Sequence, residues 1–92
     1  MNRARLVVYF AGRVQGVGFR YATKTTALGF EVVGTVRNLP DGRVELIAEG
    51  AKKELEDFLQ AVRDSGLARF IKSEECKWEE ATHLFKGFEI IR

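Results

Sequence analysis

A stretch of nine residues near the N-terminus, GRVQGVGFR at positions 12–20, limits the possible folds of this chain more than any other segment. It contains three glycines and two arginines, and it has no acidic residue. An apolar run typical of a β-strand, residues 6–10, precedes it, and apolar residues at helical spacing follow it. Because glycine accepts positive φ and has no side chain, a glycine-rich turn from strand to helix can direct several backbone N–H groups towards one ligand.

This turn is suited to bind an anion. The helix adds unpaired first-turn N–H groups and the positive end of its dipole, and the planar guanidinium of Arg20 can bind two phosphate oxygens at once. An ordinary tight turn with surface arginines would use the same residues, and glycine content alone does not separate the two interpretations. The spacing argues against two better-known phosphate loops. A P-loop would end in a Lys-Ser/Thr pair, which is missing here, and the dinucleotide-binding motif would have a third glycine after Gly16 and Gly18.

Length and composition exclude several classes of protein. With 92 residues, 46% hydrophobic and 30% charged, the chain is predicted to form one soluble globular domain over residues 1–92. No apolar run approaches the roughly 20 residues that span a bilayer, so we expect no membrane partner. The net charge of +2 is too small to indicate a nucleic-acid-binding surface.

The N-terminal residues and the cysteine content indicate the cellular compartment that we expect for the protein. The first residues lead directly into a strand-like segment without a cleavage site, which argues against a secretory signal. Cys76 is the only cysteine and cannot form an internal disulfide, which is compatible with a reducing compartment. We therefore expect a cytoplasmic protein, and we expect it to be a monomer.

The spacing of apolar residues predicts five strands and two helices. The strands are predicted at 5–11, 32–38, 43–49, 72–80 and 87–91, and the helices at 20–30 and between Gly50 and Gly66. The end of the first helix, at Gly29 or Phe30, stays open. Pro40-Asp41-Gly42 predicts a hairpin turn between the second and third strands. This order predicts an α+β ferredoxin-like α/β sandwich, βαββαβ plus a short C-terminal strand, with two helices on one face of an antiparallel sheet.

Two motifs resemble signatures of the acylphosphatase family. GRVQGVGFR at 12–20 resembles the first signature, and GTVRNLPDGRV at 34–44, with Gly50 further on, resembles the second. The ending at 87–90 also fits, so the resemblance covers essentially the whole chain. Thr35 departs from the pattern, because family members commonly carry an aromatic residue there. The resemblance implies an acylphosphatase fold and the hydrolysis of a small-molecule acyl phosphate, with inorganic phosphate or sulfate as product-like ligands.

The sequence shows no evident nucleophile, metal-ligand cluster or general base of the kind that other hydrolytic mechanisms use. His83 is the only histidine, and no histidines, cysteines or carboxylates stand at metal-ligand spacing, so we expect no metal and no cofactor. A carboxyl–phosphate anhydride suits such a chain, because its carboxylate leaving group has a conjugate-acid pKa near about 4 and departs without a proton. The protein then has to neutralise the phosphoryl oxygens and place a water in line.

The resemblance assigns these two tasks to particular residues. It implies that Arg20 binds the phosphate together with the backbone of the loop, and that Asn38 positions the attacking water. The predicted phosphate-binding loop comprises Val14, Gln15, Gly16, Val17, Gly18, Phe19 and Arg20. An amide both donates and accepts hydrogen bonds, which suits Asn38 for holding a water. Without the resemblance, Asn38 would be interpreted as a residue that starts the turn.

Two alternatives belong to other functional classes. Some ferredoxin-like proteins bind RNA through aromatic residues on the outer face of the two central strands. Here Tyr9 is the only outward aromatic of the first strand, and the third strand is predicted to expose Glu45 and Glu49, which would repel a phosphate backbone. The other alternative is an anion-binding regulatory module without activity, against which the presence of Arg20 and Asn38 argues.

Overall fold

The computed structural model describes residues 3–92 and contains one five-stranded sheet. The strands are β1 (Arg3–Gly12), β2 (Val32–Asn38), β3 (Val44–Ala51), β4 (Ile71–Glu80) and β5 (Phe88–Ile90). The helices are α1 (Phe19–Ala27) and α2 (Lys52–Val62). Short π and 3-10 turns at Arg63–Leu67 and Ala68–Phe70 connect α2 to β4. The number and order of strands and helices are as predicted.

The sheet has the strand order β4-β1-β3-β2-β5. The pairs formed by β1 with β3, β1 with β4 and β2 with β3 are antiparallel, as the ferredoxin-like prediction requires. The C-terminal strand is the exception, because β5 runs parallel to β2, with Gly34 opposite Phe88 and Val36 opposite Ile90. As a result β5 runs towards the same end of the sheet as β2.

Both helices pack on one face of the sheet and enclose the core. Alternate residues of β1 point to that face, and Leu6, Val8 and Phe10 are completely buried. They pack with Phe19 of α1 and with Leu55 and Phe58 of α2, among others. Thr23 of α1 is buried as well, and its hydroxyl is satisfied there because it donates to the Phe19 carbonyl at 2.8 Å. The predicted α+β sandwich, with two helices on one face, is confirmed.

The helix ends differ from the predicted positions. The first helix ends at Ala27, short of both Gly29 and Phe30, although the Gly29 and Phe30 N–H groups still donate to Thr26 and Ala27 in closing turns. The second helix ends at Val62, and Gly66, with φ of 89°, lies in the π turn beyond it. Repeated turns therefore separate the last α-helical residue from the glycine that was predicted to mark its end.

The prediction that Glu45 and Glu49 are exposed is wrong. Glu45 is 7% exposed and accepts a hydrogen bond from Arg37 Nε at 2.8 Å. Glu49 is fully buried, because the segment that connects β4 to β5 crosses the outer face of the sheet at this point. Its carboxylate accepts hydrogen bonds from the Thr82 N–H and hydroxyl, both at 2.8 Å, and from the His83 N–H at 2.9 Å.

This cluster makes Glu49 a source of pH-dependent stability. Burial alone would raise the pKa of Glu49. The three hydrogen bonds and the positive charge of Arg5, 3.8 Å away, have the larger combined effect and hold the pKa of Glu49 below its ordinary value. A depressed folded-state pKa adds stability that is fully present above the unfolded-state pKa of about 4.3. That stability is lost as the pH falls through the lower folded-state value.

Replacing Glu49 by glutamine is therefore expected to lower the free energy of unfolding by about 2–4 kcal/mol at pH 7. One oxygen of the carboxylate becomes an NH₂ group, which cannot accept from the Thr82 or His83 donors. Urea denaturation at pH 7 and at pH 3 measures the effect, and the difference between parent and variant should shrink at the lower pH. The Glu56→Gln variant, changed at an exposed carboxylate of α2, is the control and should differ little from the parent.

Candidate active site

The loop between β1 and α1 has two buried apolar side chains and two left-handed glycines. Val14 and Phe19 are 1% and 2% exposed, and the Phe19 ring packs on Phe10 with 4.9 Å between centroids. Between them, Gly16 and Gly18 have φ of 78° and 81°, the left-handed region that favours glycine. Two apolar anchors and two left-handed glycines therefore fix the curve of the loop.

The backbone N–H groups along this curve have no protein acceptor. The first helical hydrogen bond of α1 runs from the Ala22 N–H to the Gly18 carbonyl at 3.0 Å. Within residues 3–92, no backbone N–H from Val14 to Tyr21 donates to a protein oxygen. Gly18 provides no capping side chain, and no acidic residue lies in the first turn. The helix start therefore carries uncompensated positive potential, which is what an anion requires.

Arg20 adds a full positive charge at the start of α1. Its side chain is half-buried, and among the described residues no carboxylate lies within ion-pair distance of it. Arg5, Arg37, Arg43 and Arg63, by contrast, are each paired with a glutamate or an aspartate. The guanidinium of Arg20 is therefore available to a ligand.

Gln15 holds the loop against the β2–β3 hairpin. Its side-chain Nε2 donates to the Leu39 carbonyl at 2.8 Å and to the Arg43 carbonyl at 2.9 Å. These carbonyls close the turn itself, since the Leu39 N–H also donates to the Arg43 carbonyl at 2.8 Å. One glutamine thus fixes the loop between β1 and α1 beside the end of β2, where Asn38 lies.

Asn38 is the last residue of β2, opposite Val44 of β3. Its side-chain Oδ1 is buried, and it has no hydrogen-bond partner among the described residues. A buried acceptor without a partner costs about 1–3 kcal/mol, so such atoms are rare in folded proteins, and a ligand or water at this position would offset the cost. Asn38 does not serve as the turn-starting side chain, because Asp41 does this by accepting from the Arg43 N–H at 3.1 Å.

A cavity of about 180 Å³ joins these groups. Its lining comprises Val14, Gly16, Gly18, Phe19, Arg20, Tyr21, Asn38 and Ile90. Arg20 and Asn38, predicted from separate motifs, thus lie on the same cavity. Of the predicted loop, Gln15 and Val17 do not line it: the Gln15 side chain binds the hairpin, and Val17 packs against the core.

Tyr21 and Ile90 were missed by the sequence interpretation. Tyr21 directly follows the first motif, and nothing else in the sequence indicates that it belongs to the site. Ile90 reaches the cavity only because β5 runs parallel to β2, with the Ile91 N–H donating to the Val36 carbonyl at 3.0 Å. Strand direction at the end of a chain is not encoded in a three-residue apolar pattern, so this contact could not be found from sequence.

A second cavity, of about 480 Å³, contains none of the predicted site residues. It lies where β1 meets β4 and is lined by Gly12, Arg13, Arg69, Phe70, Ile71 and Lys72. Although it is larger, it lacks Arg20, Asn38 and the unpaired N–H groups. The smaller cavity is therefore the candidate active site.

Side chains for covalent or metal-assisted chemistry lie elsewhere. His83 donates its backbone N–H to Glu49, near the end of β3 that lies away from Asn38. Cys76 lies in the edge strand β4, and burial together with the nearby Glu74 raises the pKa of its thiol. Residues 3–92 contain no group of three or more His, Cys, Asp or Glu side chains that could hold a metal ion. The groups that the candidate site offers to a ligand are backbone N–H groups and the polar side chains of Arg20, Tyr21 and Asn38.

Comparisons with known proteins identify the family of this chain. The family model described as Acylphosphatase matches residues 6–90. The chain belongs to the acylphosphatase family. The acylphosphatase of Thermus thermophilus is 43% identical over 86 residues, which cover 94% of this chain and 97% of that protein. The acylphosphatase of Trichormus variabilis is 43% identical over 88 residues, which cover 96% of this chain and 86% of the relative.

Solved acylphosphatase structures share the fold as well. The crystal structure of acylphosphatase from Bacillus subtilis aligns with a TM-score of 0.87 at 31% identity, covering 97% of this chain and 99% of that chain. Membership in the acylphosphatase family makes this protein an enzyme of the hydrolase class, and the resemblance seen in the two motifs is confirmed. No helix within residues 3–92 has the length and apolar character needed to cross a membrane.

Proposed function

We propose that this cavity hydrolyses the carboxyl–phosphate bond of acyl phosphates, with Arg20 and the loop backbone binding the phosphate and Asn38 orienting the attacking water. The observation that carries the proposal is the convergence of three unpaired groups on one cavity. These are the guanidinium of Arg20, the N–H groups of the loop and the amide of Asn38. Their combined chemistry fits a phosphoryl group with a water beside it.

Each group has a distinct task in the proposed reaction. The N–H groups and Arg20 neutralise the phosphoryl oxygens, whose charge is spread over three equatorial positions in the transition state. Asn38 holds the water opposite the leaving group. As the water oxygen bonds to phosphorus, the bond to the acyl oxygen breaks and the carboxylate leaves with the electron pair. The proton of the water passes to the phosphate product or to solvent.

This reaction needs no general base, metal or cofactor from the protein. The carboxylate leaving group is already stable as an anion, because its conjugate acid has a pKa near about 4. Catalysis then consists of positioning and electrostatic stabilisation, which preorganised donors in a small cavity supply. We further propose that the protein is a cytoplasmic monomer that binds phosphate and sulfate and has no nucleic-acid partner. The lone Cys76, which allows no internal disulfide, supports the cytoplasmic assignment.

Incubation of the purified protein with benzoyl phosphate, with EDTA present throughout, tests the proposed function. We expect turnover in EDTA, and we expect competitive inhibition by inorganic phosphate, because the loop recognises a tetrahedral anion. The loss of absorbance as the substrate is cleaved gives the rate. Turnover that requires an added divalent metal, or that phosphate does not inhibit, would contradict the proposed mechanism.

A further inference from the structure

We propose that Tyr21 and Ile90 form the surface that contacts the acyl group, so that the enzyme favours acyl phosphates with an aromatic or branched apolar acyl group over acetyl phosphate. The inference rests on the proposed function, because it starts from a phosphate bound in the loop. It assigns a task to the two cavity residues that neither motif contains.

The size of the cavity places the acyl group at its rim. Sites that enclose a drug-sized ligand typically measure about 300–1,000 Å³, whereas this cavity measures about 180 Å³. The phosphate is proposed to contact the loop N–H groups, Arg20 and Asn38, which leaves the more exposed side chains of Tyr21 and Ile90 for the rest of the substrate. An acyl group larger than acetyl therefore extends past the side chains at the mouth.

Tyr21 and Ile90 are the exposed apolar members of the lining. Tyr21 is 72% exposed and Ile90 is 37% exposed, while Val14 and Phe19 on the same cavity are buried. Among residues 3–92, five large apolar side chains are substantially exposed: Tyr21, Leu28, Trp78, Leu84 and Ile90. Scattered exposed side chains need no explanation. These two differ from the others because they come from α1 and β5 and meet at one cavity.

The remaining cavity groups cannot distinguish one acyl phosphate from another. Arg20 and the loop N–H groups contact the phosphoryl oxygens, which every acyl phosphate has in common. The choice among acyl groups therefore depends on Tyr21 and Ile90 at the rim of the cavity. The aromatic ring of Tyr21 offers a broad apolar face for stacking and for burial of apolar surface. Contact on one side of an open cavity gives a graded preference instead of strict selection, so small acyl phosphates remain substrates.

The values of kcat/KM for benzoyl phosphate and for acetyl phosphate test this inference. We expect the Tyr21→Ala variant to lower kcat/KM for benzoyl phosphate by about 3- to 10-fold more than for acetyl phosphate, and Ile90→Ala to act in the same direction. Tyr21→Phe, which keeps the ring, should retain the parental ratio. The inhibition constant of inorganic phosphate, which has no acyl group, should stay within about twofold in all three variants.

Leu28→Ala provides the matched control. Leu28 is 83% exposed at the C-terminal end of the same helix, and it does not line the cavity. Its variant should keep the parental ratio of the two substrates. Circular dichroism establishes that each variant is folded before its kinetics are compared.

The possible outcomes separate this inference from the proposed function. If the parent hydrolyses both substrates and phosphate inhibits it, an unchanged substrate ratio in Tyr21→Ala and Ile90→Ala overturns the acyl-contact assignment alone. Equal losses on both substrates together with weaker phosphate inhibition also overturn it, because Tyr21 would then belong to the phosphate site. If the parent hydrolyses neither substrate, the proposed function fails and the inference fails with it.

Discussion

Replacing Asn38 by alanine is expected to lower kcat by about 10²–10³, while the affinity for inorganic phosphate stays within a few-fold of the parental value. The reason is that the amide is proposed to bind the water, whose interactions strengthen only as it attacks. Loss of one preorganised donor in other enzymes has an effect of this size. Asn38 makes no protein hydrogen bond through its Oδ1, so its removal should not destabilise the fold.

Two titrations measure this effect. Initial rates against benzoyl phosphate give kcat and KM, and inhibition by inorganic phosphate reports the anion site alone. Gln60→Ala removes an exposed amide from α2 and serves as the control, for which we expect unchanged kinetics. A folded Asn38→Ala protein with normal kcat, or with severely weakened phosphate inhibition, would show that Asn38 does not orient the water.

Replacing Arg20 by lysine is expected to damage both binding and turnover. The guanidinium can contact two phosphoryl oxygens at once, in the bound substrate and in the transition state, whereas an ammonium group acts as a point charge. Lysine loses one of the two contacts, and a hydrogen bond to a charged group is worth about 1.5–3 kcal/mol, so we expect kcat/KM to fall by about 10- to 150-fold. The phosphate inhibition constant should rise by about 10- to 100-fold.

Arg13 provides the control for this substitution. It is the other arginine of the first motif, it is exposed, and it lines the second cavity instead of the candidate site. Arg13→Lys keeps the charge at a neighbouring position, so its kinetics should resemble those of the parent. If Arg20→Lys and Arg13→Lys behave alike, the two-point contact assigned to Arg20 is wrong.

Local chemistry explains what could be predicted from the sequence. The bounds of β2, Val32–Asn38, agree with the predicted 32–38 because alternating residues end at a turn with proline, aspartate and glycine. The turn between β1 and α1 could be predicted because glycine adopts positive φ more readily than any other residue. Gly16 and Gly18 do occupy the left-handed region.

The failures concern contacts between distant segments. Glu49 was predicted to be exposed from its place in the alternation of β3, but the donors of Thr82 and His83 lie more than thirty positions later. The link from Gln15 to Leu39 and Arg43 likewise joins residues 24 and 28 positions apart. Hydrophobic periodicity and secondary-structure propensity describe residues that are near one another in the sequence, so they give no information on such distant pairs.

The position of β1 has a consequence for the chain during its synthesis. β1 precedes the other four strands in the sequence, yet it lies inside the sheet, and one of its two partners is β4, in which Trp78 is opposite Leu6. Until that partner has left the ribosome, one edge of an apolar strand has unpaired N–H and C=O groups, and such an edge is a template for association with other chains. Between completion of β3 and emergence of β4, the nascent protein therefore retains one unpaired edge of β1 through which it can associate with other chains.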